Sequence, residues 1–438
     1  MANNIVTVNV TQTIAPAPST LQRTGALVSQ GGTTTDPGTT TLLTTAADLT
    51  AIARAPAAIS SMSWSGGTVT VTTTAPHGMT TSDVVNLTIA GVTPAAYNGY
   101  DRICTITGAS TFTFPLVSDP GAVTVQGTWA PIGVSVLASM VNTFFAQGTQ
   151  VSVYVLELGN VQTGDAIDAL ETFIEENDPQ IFYAYLVPRT FGWDASFPAF
   201  LEQFENTGAK TYFFTTLFQG NYTNYSANTK SLFGLIEAPV IPDDEFSLAA
   251  PFYAWLHNNP STTNKVAPFA FRYLYSVTPY PLRGNGALFT TLKAANMNWI
   301  GTGAEGGITN TVLMWGTTKD GRDATYWYSV DWVQINIDLD LSNEIINGSN
   351  NPINPLYYNQ DGINRLQARA QATMNRGISY GLVLAPVTVD AVDFPTYVID
   401  NPNDYPIGKY AGLSVTYTPA RGFVEIIFNV NVTDFPSA

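Results

Sequence analysis

The stretch from 151 to 216 constrains the fold of this chain more than any other. It alternates two textures: "VSVYVLEL" (151–158), "GDAIDALETFIEEN" (164–177), "IFYAYLV" (181–187), "DASFPAFLEQFENTG" (194–208) and "KTYFFTT" (210–216). The first, third and fifth are short β-branched and aromatic runs, as expected of strands covered on both faces. The two between them keep the helical period. Ile167, Leu170 and Ile174 share a face in one; Phe197, Phe200, Leu201 and Phe204 turn inward in the other, which stops at Gly208. Strands joined through helices of this length demand right-handed crossovers and a mainly parallel sheet. A central α/β domain over 132–302 is therefore expected. Within it, "DDEFSLAAPFYAWL" (243–256) reads as a helix that opens on acids, as a helix N-terminus prefers.

The flanks have other patterns. Residues 60–131 are a run of short alternating strands, with turn signals at Pro76-His77-Gly78, Asn98-Gly99 and Gly108. They read as a small all-β domain inserted ahead of the strand–helix alternation. Residues 21–59 hold the apolar strand "GALVSQGG" and a short helix that Thr45 can cap, carrying Ala46, Leu49 and Ile52. From 303 the texture shifts again. "ATYWYSVDWVQINIDLDLSNEIING" (324–348) is ambiguous: Val333, Ile335, Ile337, Leu339 and Leu341 alternate as in a strand, while the unbroken length favours a helix. "DGINRLQARAQATMNRG" (361–377) is a clearer helix, with Ile363, Leu366, Ala370 and Met374 aligned and Gly377 as its stop. The fold class expected is a mixed α/β and all-β multidomain chain.

Both ends raise the question of a partner. Residues 1–20 begin with alternating Val6, Val8 and Val10 next to Ile5 and continue into "TIAPAPST"; residues 423–438 alternate Val424, Ile426, Phe428, Val430 and Val432 after "TPARG". Either segment can fold back into its own sheet. A flexible or proline-bearing connector beside each also suits an arm that adds a strand to the sheet of a neighbouring copy. Ile5, Val6, Val8, Val10 and the five C-terminal residues are the candidate inter-subunit contacts.

Composition narrows the partners. Charged residues make up only 11% of the chain, against a usual share of about 25%. So little surface charge suits a molecule whose surface is largely covered by copies of itself. The net charge is −16 and the sequence has no basic cluster, which disfavours nucleic acid and anionic membrane. No apolar run reaches the length of a membrane helix, and nothing at the start reads as a secretory signal. Cys104 is the only cysteine, so no internal disulfide is possible.

Candidate chemistry is thin. The two histidines, His77 in a Pro-His-Gly turn and His257 at a helix end, leave little supply for a nucleophile–histidine relay or a histidine-rich metal site. "GTGAEG" (301–306) matches a dinucleotide-binding glycine pattern, but a β-rich segment follows where a helix is needed. Asp243, Asp244 and Glu245 could ligate a cation, and helix-cap acids are the commoner explanation. Asp338 and Asp340 fall on the outer face of an amphipathic element, and Asp165, Asp168 and Glu171 on an exposed helix side. No catalytic residue, cofactor or metal is expected.

Four segments resemble the tail sheath proteins of contractile-tailed bacteriophages. "DYPIGKYAGLSVTYTPARGFVEIIFNVNVTDFP" (404–436) resembles the C-terminal segment of that family, and "GTTKDGRDATYWYSVDWVQ" (316–334) a glycine-bearing turn before a helix. "GALVSQGG" (25–32) resembles the early segment after the arm, and 70–114 a small β module of phage structural proteins. The resemblance implies a helix over 325–347. It also implies an assembly domain built from 21–59 and 303–422, with arms at 1–20 and 423–438. The function implied is that of a sheath subunit in stacked hexameric rings, with the tail tube protein, baseplate and tail terminator as partners. The place implied is a virion made in the host cytoplasm. A non-contractile tail or capsid protein, and an α/β enzyme built on 132–302, are the rival classes.

Overall fold

A computed structural model of the chain describes residues 19–426, apart from 178, 207, 219, 227–228, 282–283 and 304–308. Two compact units form. The larger comprises Leu21–Asn259, Val266–Tyr328 and residues 421–426; the smaller comprises Ser329–Ala420 with 260–265 and 19–20.

The larger unit starts with β1 (Gly25–Ser29) and β2 (Thr40–Leu43), joined to the next strand through a 3-10 turn capped by Thr45. The chain then builds β3 (Ala57–Ser65), β4 (Thr68–Thr73), β5 (Val84–Ala90), β6 (Gly99–Gly108), β7 (Thr111–Pro115) and β8 (Thr128–Pro131). These six close into a barrel, on the stretch read as a small all-β domain. Helix α1 (Ile132–Ala146) leads back to β9 (Val153–Glu157), α2 (Thr163–Glu176), β10 (Ala184–Leu186), α3 (Arg189–Trp193), α4 (Phe197–Glu202), β11 (Tyr212–Leu217) and β12 (Leu232–Ile236). Next come α5 (Ala249–Leu256), α6 (Gly286–Ala294), β13 (Trp299–Thr302) and β14 (Thr311–Met314), the last two an antiparallel pair.

The main sheet has the order β12-β11-β10-β1-β9-β2. Its pairs are parallel except β2 on β9. This placement corrects the expectation that 21–59 joins 303–422. All five residues of β1 are buried, and Ala26 lies between Tyr185 of β10 and Tyr154 of β9. A strand apolar on both faces needs cover on both, and the middle of a parallel sheet supplies it. The start of the C-terminal domain is also corrected, because residues 303–328 belong to the larger unit. There Asn298 holds Thr317, accepting its N–H at 2.9 Å and donating to its carbonyl at 2.7 Å.

Two helices are shorter than their periodicity predicts, for tertiary reasons. The 194–208 pattern is helical only over Phe197–Glu202. Glu205 is drawn away to accept the N–H groups of Lys230 at 2.5 Å and Ser231 at 3.1 Å. The 243–256 helix begins only at Ala249, so Asp243, Asp244 and Glu245 do not serve its first turn. Glu245 is buried and accepts the N–H of Thr278 at 2.7 Å and its hydroxyl at 2.6 Å.

The barrel is built on alternation. Val69 and Val71 of β4 point inward while Thr68 and Thr70 face water. Val85, Leu87, Ile106, Phe112, Phe114 and Trp129 share the same core with Cys104. Burial pushes the Cys104 thiol up to about 12. The thiolate is the reactive form, so this thiol is inert while the barrel is closed. Native protein at pH 8 is expected to leave Cys104 unlabelled by a maleimide, with labelling rising along the same denaturant curve as the change in intrinsic tryptophan fluorescence. Fast labelling without denaturant would contradict this packing.

The smaller unit is a helical hairpin with a β ribbon. Helix α7 (Ala324–Asn350) enters it at Ser329, and α8 (Gln360–Ser379) follows. The ambiguous segment is thus helical, as the family resemblance implies and against the local alternation. Ser329, Trp332, Val333, Asn336 and Asp340 form the buried stripe at helical spacing. Asp340 is corrected from solvated to buried, at 1% exposure. Its carboxylate accepts Arg369 Nη2 at 3.1 Å, Thr373 Oγ1 at 2.5 Å and, in a very short contact, Arg376 Nη2. A second rung joins Glu344 to Arg365 at 2.6 Å. The stop of α8 is corrected too. Gly377 lies inside the helix, which runs on to Ser379, and its lack of a side chain serves packing, since a Cβ there would come within 3.1 Å of Val383 and 3.3 Å of Trp332. Gly381, at φ +74°, turns the chain out instead.

Candidate assembly interface

Two pairs of short strands run along one ribbon in the smaller unit. β15 (Val383–Leu384) is followed by β16 (Val389–Ala391), then by α9 (Phe394–Asp400), β17 (Leu413–Val415) and β18 (Thr418–Pro419). β15 pairs with β18 and β16 with β17, both antiparallel. A ribbon two strands wide is marginal alone and exposes unpaired edges.

The two edges are unequal. Val392 donates its N–H to Gly412 at 3.0 Å. In an antiparallel pair only alternate residues turn their N–H and C=O toward each other, so Asp390 faces Ser414. Val389 therefore points its backbone outward from β16, and α8 closes that edge. Gln367 donates to the Val389 carbonyl at 2.8 Å, and Gln371 accepts its N–H at 2.9 Å. By the same alternation Leu413 and Val415 turn their N–H and C=O groups outward from β17. Among the described residues these groups have no partner. Among the described residues the β17 edge is thus the open one, and it can take an extended segment by main-chain pairing.

The predicted contacts fall as follows. Ile5, Val6, Val8, Val10, Phe428, Val430 and Val432 lie outside the described residues. Residues 421–426 are in no strand of this chain. Val424 is half-buried, and Ile426 is 75% exposed. Large apolar side chains also stand exposed on the hairpin's far end, at Ile345, Ile346 and Tyr357, with Ile353 94% exposed in the connection.

The other candidates are held in structural roles. His77 Nδ1 accepts the Met79 N–H at 3.1 Å and the ring meets Trp129 edge-on. His257 stacks on Tyr253. Gly301 and Thr302 of the glycine motif belong to β13, paired with β14, while 304–308 lie outside the described residues. A cleft of 600 Å³ opens where β11 and β12 end, lined by Arg189, Trp193, Thr216, Phe218, Glu237 and Asp243 among others. Its guanidinium is engaged: Arg189 grips Glu237 at 2.6 and 3.1 Å and donates to the Glu245 carbonyl at 3.1 Å. Among the described residues no group of three or more His, Cys, Asp or Glu could hold a metal ion. No helix among them is long and apolar enough to cross a membrane.

Periodicity gave no sign of Glu157. This buried carboxylate accepts five hydrogen bonds, from Ser29 Oγ, the N–H groups of Gly31, Thr33 and Gly159, and Thr33 Oγ1, at 2.7–3.0 Å. It fixes the "SQGGT" turn that carries the chain out of β1. Asp340 did carry a readable signal. Arg369 and Arg376 lie seven residues apart, two turns along one face of α8, in a chain with only 17 Lys and Arg.

No family model and no curated protein matches the chain. Its fold does match solved structures. A chain of the anti-feeding prophage baseplate, determined by cryo-EM with six-fold symmetry, aligns at TM-score 0.55 and 13% identity, covering 99% of this chain and 100% of that one. A chain of the anti-feeding prophage helical sheath in its contracted state aligns at TM-score 0.50 and 10% identity, with the same coverage. The fold over nearly the whole length is therefore one found in a contractile sheath. This is the class of structure that the sequence resemblance pointed to.

Proposed function

We propose that this chain is the structural subunit of a contractile phage tail sheath. It polymerises as stacked hexameric rings around a tail tube and contracts to drive the tube through the host envelope. The observation that carries this reading is the fold shared end to end with a chain of a contracted helical sheath. The open β17 edge supports it, because it offers main-chain pairing to an arm of a second copy. The arms at 1–20 and 423–438 are the strands that would fill such edges. Tube protein, baseplate and tail terminator would be the other partners. The virion is its place, after synthesis in the bacterial cytoplasm.

Contraction on this reading is a rearrangement of rigid units while strand pairing between copies persists. No chemistry is required of the cleft or the carboxylates. Purified protein, concentrated and viewed by negative-stain electron microscopy, is expected to form tubes or stacked rings. Monodisperse monomers at every concentration, with and without tube protein, would overturn the proposal.

A further inference from the structure

We propose that Asp323 anchors the root of the C-terminal arm, so that exchange between copies involves only residues beyond it. This rests on the sheath reading for its purpose, but its geometry stands in the single chain. Asp323 is 7% exposed. Its Oδ1 accepts Thr325 N–H at 3.1 Å and Thr325 Oγ1 at 3.0 Å, closing the first turn of α7. Its Oδ2 accepts the N–H of Gly422 at 2.6 Å. One buried carboxylate thus serves a 27-residue helix and the arm together.

The surroundings fit the arm to this point. A Cβ on Gly422 would come within 2.7 Å of the Pro268 Cβ, so the backbone reaches Asp323 because no side chain intervenes. The Arg421 guanidinium lies 4.7 Å from the centre of the Tyr326 ring, on that same first turn. Further out, Lys293 pairs with Glu425 at 2.5 Å. That pair is exposed and contributes little energy, but it extends the same path. Burial pushes the Asp323 carboxyl up, and the bonds from Gly422 and Thr325, with the charge of Arg421, draw it back down.

The consequence is mechanical. The last ribbon bond before the arm is Ala420 N–H to Leu382 O. If the chain were loose from Arg421 to Ile426, those residues would add about 20 Å of slack at ~3.4 Å each. Longer slack lowers the effective concentration of an arm at its acceptor edge. Anchoring at Gly422 removes this slack and passes load directly into α7.

The test uses the full chain and two variants on opposite sides of the contact. Asp323→Ala removes the acceptor and the helix cap together. Gly422→Ala displaces the arm and leaves the α7 cap intact. Hydrogen exchange followed by mass spectrometry on the monomer, in peptides that span 422–426, is expected to show the one protected amide, at position 422, exchanging at least tenfold faster in both variants, with α7 protection unchanged in Gly422→Ala. Tube yield in microscopy is expected to fall in both. Unchanged exchange over 422–426 in Gly422→Ala would overturn the anchor. So would accelerated exchange with tubes forming at the unaltered yield. If the parent chain itself forms no tubes, the sheath reading fails, while the exchange result still decides the contact.

Discussion

Chains lacking residues 1–14, or lacking 423–438, are expected to stay folded and monomeric and to form no tubes. Folding should survive because no buried residue among the described ones comes from 1–21 or from beyond Tyr397. On the proposed reading, assembly should fail because the arms would be the segments that pair with another copy. Burying about five apolar side chains contributes about 1.5–3 kcal/mol each, and ordering about ten residues of backbone costs about 1–2 kcal/mol each. Ladder hydrogen bonds add about 0.5–1.5 kcal/mol apiece. On that reading a single arm would bind close to break-even, and only several engaged together would hold a lattice. Removing one type of arm should shift assembly by orders of magnitude, read as loss of tubes with an unchanged circular dichroism spectrum and melting temperature. Normal tubes from either truncation would remove the arms from the mechanism.

Asp340→Ala is expected to cost roughly 3–5 kcal/mol of stability, because it leaves buried charge without its partner. The Arg369 and Arg376 side chains are only 22% and 20% exposed, and both converge on this carboxylate. Arg376 also lies 5.8 Å from the Trp332 ring centre, so its displacement disturbs the contact between α7 and α8. Replacing all three, as Asp340→Leu with Arg369→Met and Arg376→Met, should recover most of the loss, since apolar packing substitutes for a buried ion cluster at little net cost. Urea unfolding followed by far-ultraviolet circular dichroism measures both. A loss under about 1 kcal/mol for Asp340→Ala would mean that the cluster is far better hydrated than its burial indicates.

The two helices of that hairpin show what a sequence can and cannot tell. In α8 the apolar residues occupy the buried positions, so Ile363, Ala370 and Met374 were legible. In α7 several buried positions carry polar residues. Asn336 and Asp340 are buried while Ile335, Ile337, Leu339 and Leu341 are only half-covered. Counting apolar residues then returns a false period of two. Its unbroken length and the family resemblance, rather than its apolar period, pointed to a helix in advance. The parallel sheet was readable from 151 onward because its strands alternate with amphipathic helices. Its central strand was not, because "GALVS" is separated from its neighbours β9 and β10 by the entire barrel. Local pattern carries no information on pairing across such a distance. The open β17 edge was equally invisible, because it depends on Gln367 and Gln371 having closed the other one.

The barrel's attachment has an evolutionary and practical consequence. Ala57 and Trp129 are ladder partners, as are Ala58 and Thr128, so the strands through which the chain enters and leaves the barrel run side by side. Such a module can be lost, gained or traded between genomes without asking the host sheet to span a gap. The same doorway makes this position a natural place to graft a foreign domain onto the chain.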